Sequence, residues 1–179
     1  MYLVERRKLA MINIVLYEPE IPQNTGNIMR TCSVFKMKLH LIEPLGFSLD
    51  EKHLQRSGMD YIDDLDYKVY PNWDEFIKGK EGQFVYFTRY GMKSFNECKF
   101  EPDKDIYMVF GKESTGIDKH ILKNNLEFCY RIPMKSDARS LNLSNTVAIG
   151  AYECLRQIGF GDLSDREVIK GEDFLLKCQ

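Results

Sequence analysis

A chain of 179 residues, 44% of them hydrophobic, can build one domain with a substantial core and is too short for two comfortable ones. A net charge of -2 with 29% charged residues excludes a global basic field, so any polyanionic partner must meet a local patch. Five cysteines (Cys32, Cys98, Cys129, Cys154 and Cys178) form an odd set without C-x-x-C spacing, which argues against a disulfide framework and a zinc site and points to a reducing compartment.

Residues 1–10 carry Arg6, Arg7 and Lys8 with no apolar stretch behind them, and no run approaches the roughly eighteen apolar residues of a membrane span. Neither export nor membrane insertion is expected; a cytoplasmic location is. Because Met11 opens the first good strand, residues 1–10 read as an N-terminal extension or an alternative start. Ile12–Tyr17 is an apolar, β-branched run closed by Glu18 and Pro19, the pattern of a buried strand. Residues 26–35 then place Ile28, Cys32 and Phe35 on one helical face. A second short strand spans residues 39–42 and stops at Pro44. Residues 50–56 read as helix, Tyr67–Tyr70 as extended chain and Trp73–Ile77 as helix. Residues 84–88 and Ile106–Phe110 are aromatic and β-branched runs of strand length, separated by a loop holding Gly91 and Pro102. A short helix is expected over residues 118–123, a strand over 128–132 ending at Pro133, and a long helix over Leu143–Ile158 ended near Gly159 and Gly161. Alternating strands and helices predict an α/β fold with a mostly parallel sheet flanked by helices, in which ligands sit at the carboxyl ends of the strands. The charged tail, residues 161–179, is expected to be solvated or loosely docked.

Known ligand fingerprints are weak. The G-x-G of Gly159 and Gly161 lacks a third glycine and follows a helix, which disfavours a dinucleotide site. Residues 111–116, Gly-Lys-Glu-Ser-Thr-Gly, place lysine after the first glycine rather than the last, so a Walker-type phosphate loop is disfavoured too. His40, His53 and His120 stand far apart with no carboxylate or cysteine at ligand spacing, so no metal is expected. What stands out instead is surplus polarity. Residues 139–145 crowd Arg139, Ser140, Asn142, Ser144 and Asn145 before an apolar helix, whereas capping a helix takes one or two such side chains at roughly 1 kcal/mol each. Residues 24–30 and 110–116 repeat the arrangement beyond other apolar runs. Three polar loops at three strand ends predict one site.

In this order the three segments resemble the motifs of the SPOUT superfamily of S-adenosylmethionine-dependent RNA methyltransferases. The matching residues are Asn24, Gly26, Asn27, Ile28 and Arg30; then Phe110, Gly111, Glu113 and Gly116; then Ile132, Pro133 and Met134 followed by residues 139–145. With the run at residues 17–24, the likeness is greatest to the small stand-alone family that methylates the ribose 2′-hydroxyl of the tRNA wobble nucleotide, cytidine or modified uridine at position 34, and it covers residues 11–160. The resemblance implies a trefoil knot in the C-terminal half, S-adenosylmethionine as cofactor without metal, a homodimer with sites near the subunit interface, and a tRNA anticodon loop as partner. Two alternatives are a 2′-O-methyltransferase for another tRNA or rRNA position and an inactive homologue that binds RNA or cofactor.

The resemblance also implies residue roles. Phe87, Gly111, Ile132 and Ser140 would hold the cofactor, largely through backbone groups; Phe87 reads equally as strand core. Arg30 would assist removal of the ribose proton, either as a clamp that stabilises the developing alkoxide or as the proton acceptor, although a guanidinium is a poor base. Glu113 would pair with Arg30 or hold a ribose hydroxyl, or else serve a nearby helix dipole. Ser140 and Asn142 would position the nucleotide or cap the last helix, and Asn24 would orient the same groups or make an Asx-turn. A basic mouth drawn from Arg30, Lys36, Lys38, Lys135, Arg139 and Arg156 is expected for an RNA substrate. The helix Leu143–Ile158 would contribute to dimerisation, though core packing also explains its pattern.

Overall fold

The computed structural model describes residues 10–49 and 65–177; the helix expected over residues 50–56, His53 and Cys178 lie outside them. Seven strands form one parallel sheet: β1 (Ile12–Tyr17), β2 (Lys38–Ile42), β3 (Tyr67–Tyr70), β4 (Gln83–Phe87), β5 (Lys93–Ser94), β6 (Ile106–Phe110) and β7 (Cys129–Arg131), in the spatial order β3-β2-β1-β6-β4-β7-β5. Between them run α1 (Pro22–Val34), α2 (Trp73–Ile77), α3 (Lys119–Lys123), α4 (Leu143–Ile158) and a short α5 (Phe174–Lys177) in the tail.

The two-residue alternation of each strand sorts its side chains into two cores. Ile12, Ile14 and Leu16 of β1, Leu39 and Leu41 of β2, Val85 and Phe87 of β4, and Met108 and Phe110 of β6 pack on one face against Ile28 and Cys32 of α1 and Val147, Ala151 and Cys154 of α4. Val15, Ile42, Tyr86, Tyr107 and Val109 point the other way, onto Phe76 of α2 and Leu122 of α3. Helices therefore cover both faces, as a parallel sheet requires. The four cysteines among the described residues, Cys32, Cys98, Cys129 and Cys154, are buried and free. No described helix is long and apolar enough to cross a membrane.

Strand β2, strand β4 and helix α3 differ from their expected bounds by a residue at one or both ends, and larger changes fall on α1, on the connection after β4 and on β7. Helix α1 begins at Pro22 rather than at residue 26, so residues 24–30 lie within a helix and not in a polar loop. Pro22 sits at the first helical position, where its fixed φ suits the turn and its missing N–H costs nothing. The connection after β4 also hides a two-residue strand, β5, pairing with β7 at Lys93–Tyr130 and Ser94–Arg131, followed by a 3-10 turn at Phe95–Glu97. Strand β7 keeps three of the five residues expected.

His40 is a core residue. Its Nε2 donates to Asn13 Oδ1 (2.9 Å) and its Nδ1 accepts from the Tyr70 hydroxyl (3.1 Å); the Asn13 amide in turn donates to the carbonyls of Met11 and Ile106, which fixes the tautomer. Burial, followed by the charges of Lys80 and Lys38, lowers the imidazole pKa from 6.5 to about 3. Between those values the unfolded chain holds a proton that the folded chain does not, so acidification below pH 6.5 removes stability, at most about 1.4 kcal/mol per pH unit. Denaturant unfolding from pH 7 to pH 4 is expected to show a steeper loss for wild type than for His40→Gln; equal slopes would assign the acid sensitivity to other groups.

Candidate active site

Because every strand runs the same way, the carboxyl ends of β1, β6, β4 and β7 lie along one edge: Leu16 pairs with Phe110, Phe110 with Phe87, and Phe87 with Tyr130. A cavity of about 860 Å³ opens there, near the top of the range for small-molecule sites. Its floor includes the Phe87 and Phe110 rings, stacked with centroids 4.5 Å apart at 14°. Phe87 is thus both strand core and cavity lining. Gly150 lets α4 approach this floor, since a Cβ there would stand 3.0 Å from Phe87 Cζ.

The chain turns sharply after β6. A Cβ on Gly111 would lie 2.2 Å from the carbonyl carbon of Gly116 and from the amide nitrogen of Ile117, so only glycine permits this return. Gly116 N donates to Lys112 O (2.9 Å) and closes the loop. The loop carries Glu113 to the amino end of α1. There its carboxylate accepts from the N–H groups of Glu20 (2.9 Å) and Ile21 (3.3 Å) and from the Asn24 amide (2.8 Å). A negative group at this position favours the helix dipole, and α1 needs it: Ile21, its N-cap, makes no side-chain cap and its first turn holds no acid. The exchange is mutual, because Glu20 accepts from Ser114 N (2.8 Å) and Ser114 Oγ (2.7 Å), which hold its carboxyl below the usual range. Lys112 pairs with Glu18 at 2.5 Å, a hydrogen bond that raises its own pKa.

The third segment joins the same network. Asn142 caps α4, its Oδ1 accepting from Ser144 N (2.9 Å), Ser144 Oγ (2.7 Å) and Asn145 N (3.3 Å). Its amide donates to Asn24 Oδ1 (2.9 Å). The capping role and the site role of Asn142 therefore coexist, and Asn24, Glu113 and Asn142 form one continuous relay. Gly111, Ile132 and Ser140 line the cavity with them. Arg30 does not line it; it is exposed on α1, two turns beyond Asn24.

The cavity is cationic in a chain whose net charge is -2. Arg89, Lys112, Lys119, Arg131 and Arg139 line it, against the single carboxylate of Glu113. Of the basic residues expected at the mouth, only Arg139 lines the cavity; Lys36, Lys38, Lys135 and Arg156 are engaged by Asp162, Asp66, Asp137 and Glu153. Arg89 and Arg131 escaped the sequence reading, although their positions at the ends of β4 and β7 were the signal that could have found them. Among the described residues no group of three His, Cys, Asp or Glu side chains could hold a metal ion.

The family model of the SpoU rRNA Methylase family matches residues 11–152. A protein of Listeria monocytogenes serotype 4b, provisionally named as a tRNA (cytidine(34)-2'-O)-methyltransferase, is 52% identical over 153 residues, covering 84% of this chain and 90% of its own. Among solved structures, one described as giving insight into the 2-OH methylation of C/U34 on tRNA superposes with a TM-score of 0.76 at 38% identity, covering 83% of this chain and 97% of its own. A SpoU methyltransferase from Streptomyces viridochromogenes, solved in complex with AdoMet, shares the fold with a TM-score of 0.71 at 21% identity, covering 86% of this chain and 61% of its own.

Proposed function

The chain belongs to the SpoU rRNA Methylase family, and on that premise we propose that it is an enzyme that transfers a methyl group from S-adenosylmethionine to the ribose 2′-hydroxyl of the wobble nucleotide, position 34, of tRNA. The observation that carries this reading is the Glu113–Asn24–Asn142 relay, which ties three distant polar segments to one cationic cavity at the strand ends.

The residues present fit the cofactor. A glycine-walled loop, a stacked aromatic floor and the exposed backbone of the strand ends provide apolar surface and amide groups for an adenosine and an amino acid. Phe87, Gly111, Ile132 and Ser140 are the residues we assign to it. When bound, S-adenosylmethionine supplies a methyl group on a sulfonium, so the protein must align the ribose oxygen and help its proton leave. Asn24, Glu113, Ser140 and Asn142 position the target nucleotide at the mouth, and Lys119, Arg131 and Arg139 of the cavity hold its phosphates. Arg30 is assigned to the ribose hydroxyl as an electrostatic clamp, because a guanidinium stabilises an alkoxide far more readily than it accepts a proton.

The working form in this reading is a homodimer. The outer face of α4 exposes Ile149 and Tyr152, and Tyr152 meets the exposed Phe160 ring at 5.7 Å, an apolar surface suited to a second copy. Since Arg30 does not line the cavity of its own chain, we assign it to the cavity of the partner. The reading extends to a domain over residues 11–160 flanked by an extension (1–10) and a tail (161–179), a cytoplasmic location, and a trefoil knot, supported by the interleaved order β6-β4-β7-β5 and by the resemblance.

Incubation with labelled S-adenosylmethionine and total tRNA, followed by nucleoside mapping, is expected to place label on the 2′-oxygen of nucleotide 34. Label on a base, on another ribose, or nowhere would overturn the assignment.

A further inference from the structure

Next to the cavity, the turn after β4 presents an aromatic ring for which the relay and the cofactor cradle have no use. Tyr90 is 60% exposed, yet its backbone is held firmly. Tyr90 N donates to Thr88 Oγ1 (3.2 Å), Gly91 N to Thr88 O (3.3 Å), and Thr88 N to Tyr130 O (3.0 Å). Gly91 presses the turn onto β7 so closely that a Cβ would meet the Tyr130 carbonyl carbon at 2.5 Å and the Arg131 nitrogen at 2.7 Å. Arg131 reaches back from β7 to donate from Nη1 to Arg89 O (3.0 Å). The Arg89 guanidinium carbon stands 5.8 Å from the centre of the Tyr90 ring, within cation–π range. A planar cation thus stands over one face of a ring on a braced turn, leaving the other face open, and both residues line the cavity.

We propose that Arg89 and Tyr90 form a stacking subsite for the nucleobase adjoining the methylated nucleotide, with Arg131 facing the phosphate between the two. The proposal rests on the tRNA reading above. Unpaired bases of an anticodon loop offer flat faces, and sequence-tolerant protein sites take them on aromatic and guanidinium planes. The bracing matters because a ring carried on backbone already fixed in place leaves less of the chain to be ordered when a base covers it. A small cofactor does not account for the feature, since a ring meant for an enclosed ligand would sit on the cavity floor with Phe87 rather than 60% exposed at its rim.

Binding of a fluorescent anticodon stem-loop RNA, followed by anisotropy, tests this independently of methyl transfer. Tyr90→Ala is expected to weaken binding about tenfold, the effect of losing one base stack, with unchanged affinity for S-adenosylmethionine and unchanged thermal unfolding. Tyr90→Trp is expected to stay within about threefold of wild type, because the ring face and not the hydroxyl is used. Arg89→Ala is expected to weaken binding and flatten its salt dependence. Unchanged RNA affinity in Tyr90→Ala, or a matching loss of cofactor affinity, would overturn the subsite. Failure of wild type to label nucleotide 34 while Tyr90→Ala still weakens RNA binding would overturn the assigned reaction and leave the subsite standing.

Discussion

Arg30→Ala is expected to lower methyl transfer by at least about 10²–10³-fold, the scale seen when one preorganised donor to a developing oxyanion is removed. Cofactor affinity and thermal unfolding should stay at the wild-type level, since Arg30 is exposed on α1 and contributes to neither core. Arg30→Lys should recover only part of the activity, because an ammonium keeps the charge and loses the planar fork. The sharper expectation concerns which cavity the guanidinium serves. If Arg30 acts on the partner's cavity, a hybrid dimer of Arg30→Ala with Asn142→Ala holds one site that lacks both groups and one intact site. Coexpression of the two chains with different tags and purification of the hybrid should then restore turnover, although each parent dimer is inactive. Asn142→Ala suits this role, because losing a cap costs about 0.5–2 kcal/mol and leaves the protein folded. An inactive hybrid would place Arg30 in its own chain's site, and full turnover by Arg30→Ala alone would remove it from the chemistry.

The same residues show how much the sequence disclosed. Strands β1, β3 and β6 and helices α2 and α4 have the bounds their apolar runs and breakers predict, because propensity, period and termination agree there. Helix α1 does not, and the reason lies in space: the acceptor at its amino end is Glu113, 93 residues beyond Glu20 in sequence. No local cap announced that start, so residues 24–30 looked like loop. Strand β5 is two residues long and exists only through its pairing with β7, too little for a periodic signal. In the site, Asn24, Glu113 and Asn142 were legible as residue types in a known order, whereas their mutual hydrogen bonds were not. The cationic wall was misplaced for a simpler reason. Surface lysines such as Lys36 and Lys38 lay near the motifs in sequence but pair with acids, while Arg89 and Arg131 reach the cavity from strand ends that carried no motif.

Gly111→Ala is expected to damage the site more than any other change of a single methyl group. Its Cβ would fall 2.2 Å from backbone atoms of both Gly116 and Ile117, and backbone cannot yield as a side-chain tip does. The loop must open, and with it moves Glu113, which holds the amino end of α1 and the Asn24 amide. Overpacking of this kind costs about 1–3 kcal/mol of stability, and we expect S-adenosylmethionine binding to weaken at least tenfold because the same loop walls the cavity. Gly116→Ala provides the comparison. Gly116 has a φ of +78°, but a Cβ there meets nothing within 4 Å, so its penalty is the left-handed backbone alone, about 1–2 kcal/mol. Thermal unfolding should therefore register both variants, while titration calorimetry with S-adenosylmethionine should separate them, the Gly116 variant binding nearly as wild type. Equal cofactor affinity in Gly111→Ala and wild type would mean that the return of the chain at residues 111–117 shapes the fold without shaping the pocket, and the assignment of Gly111 to the cofactor would fall.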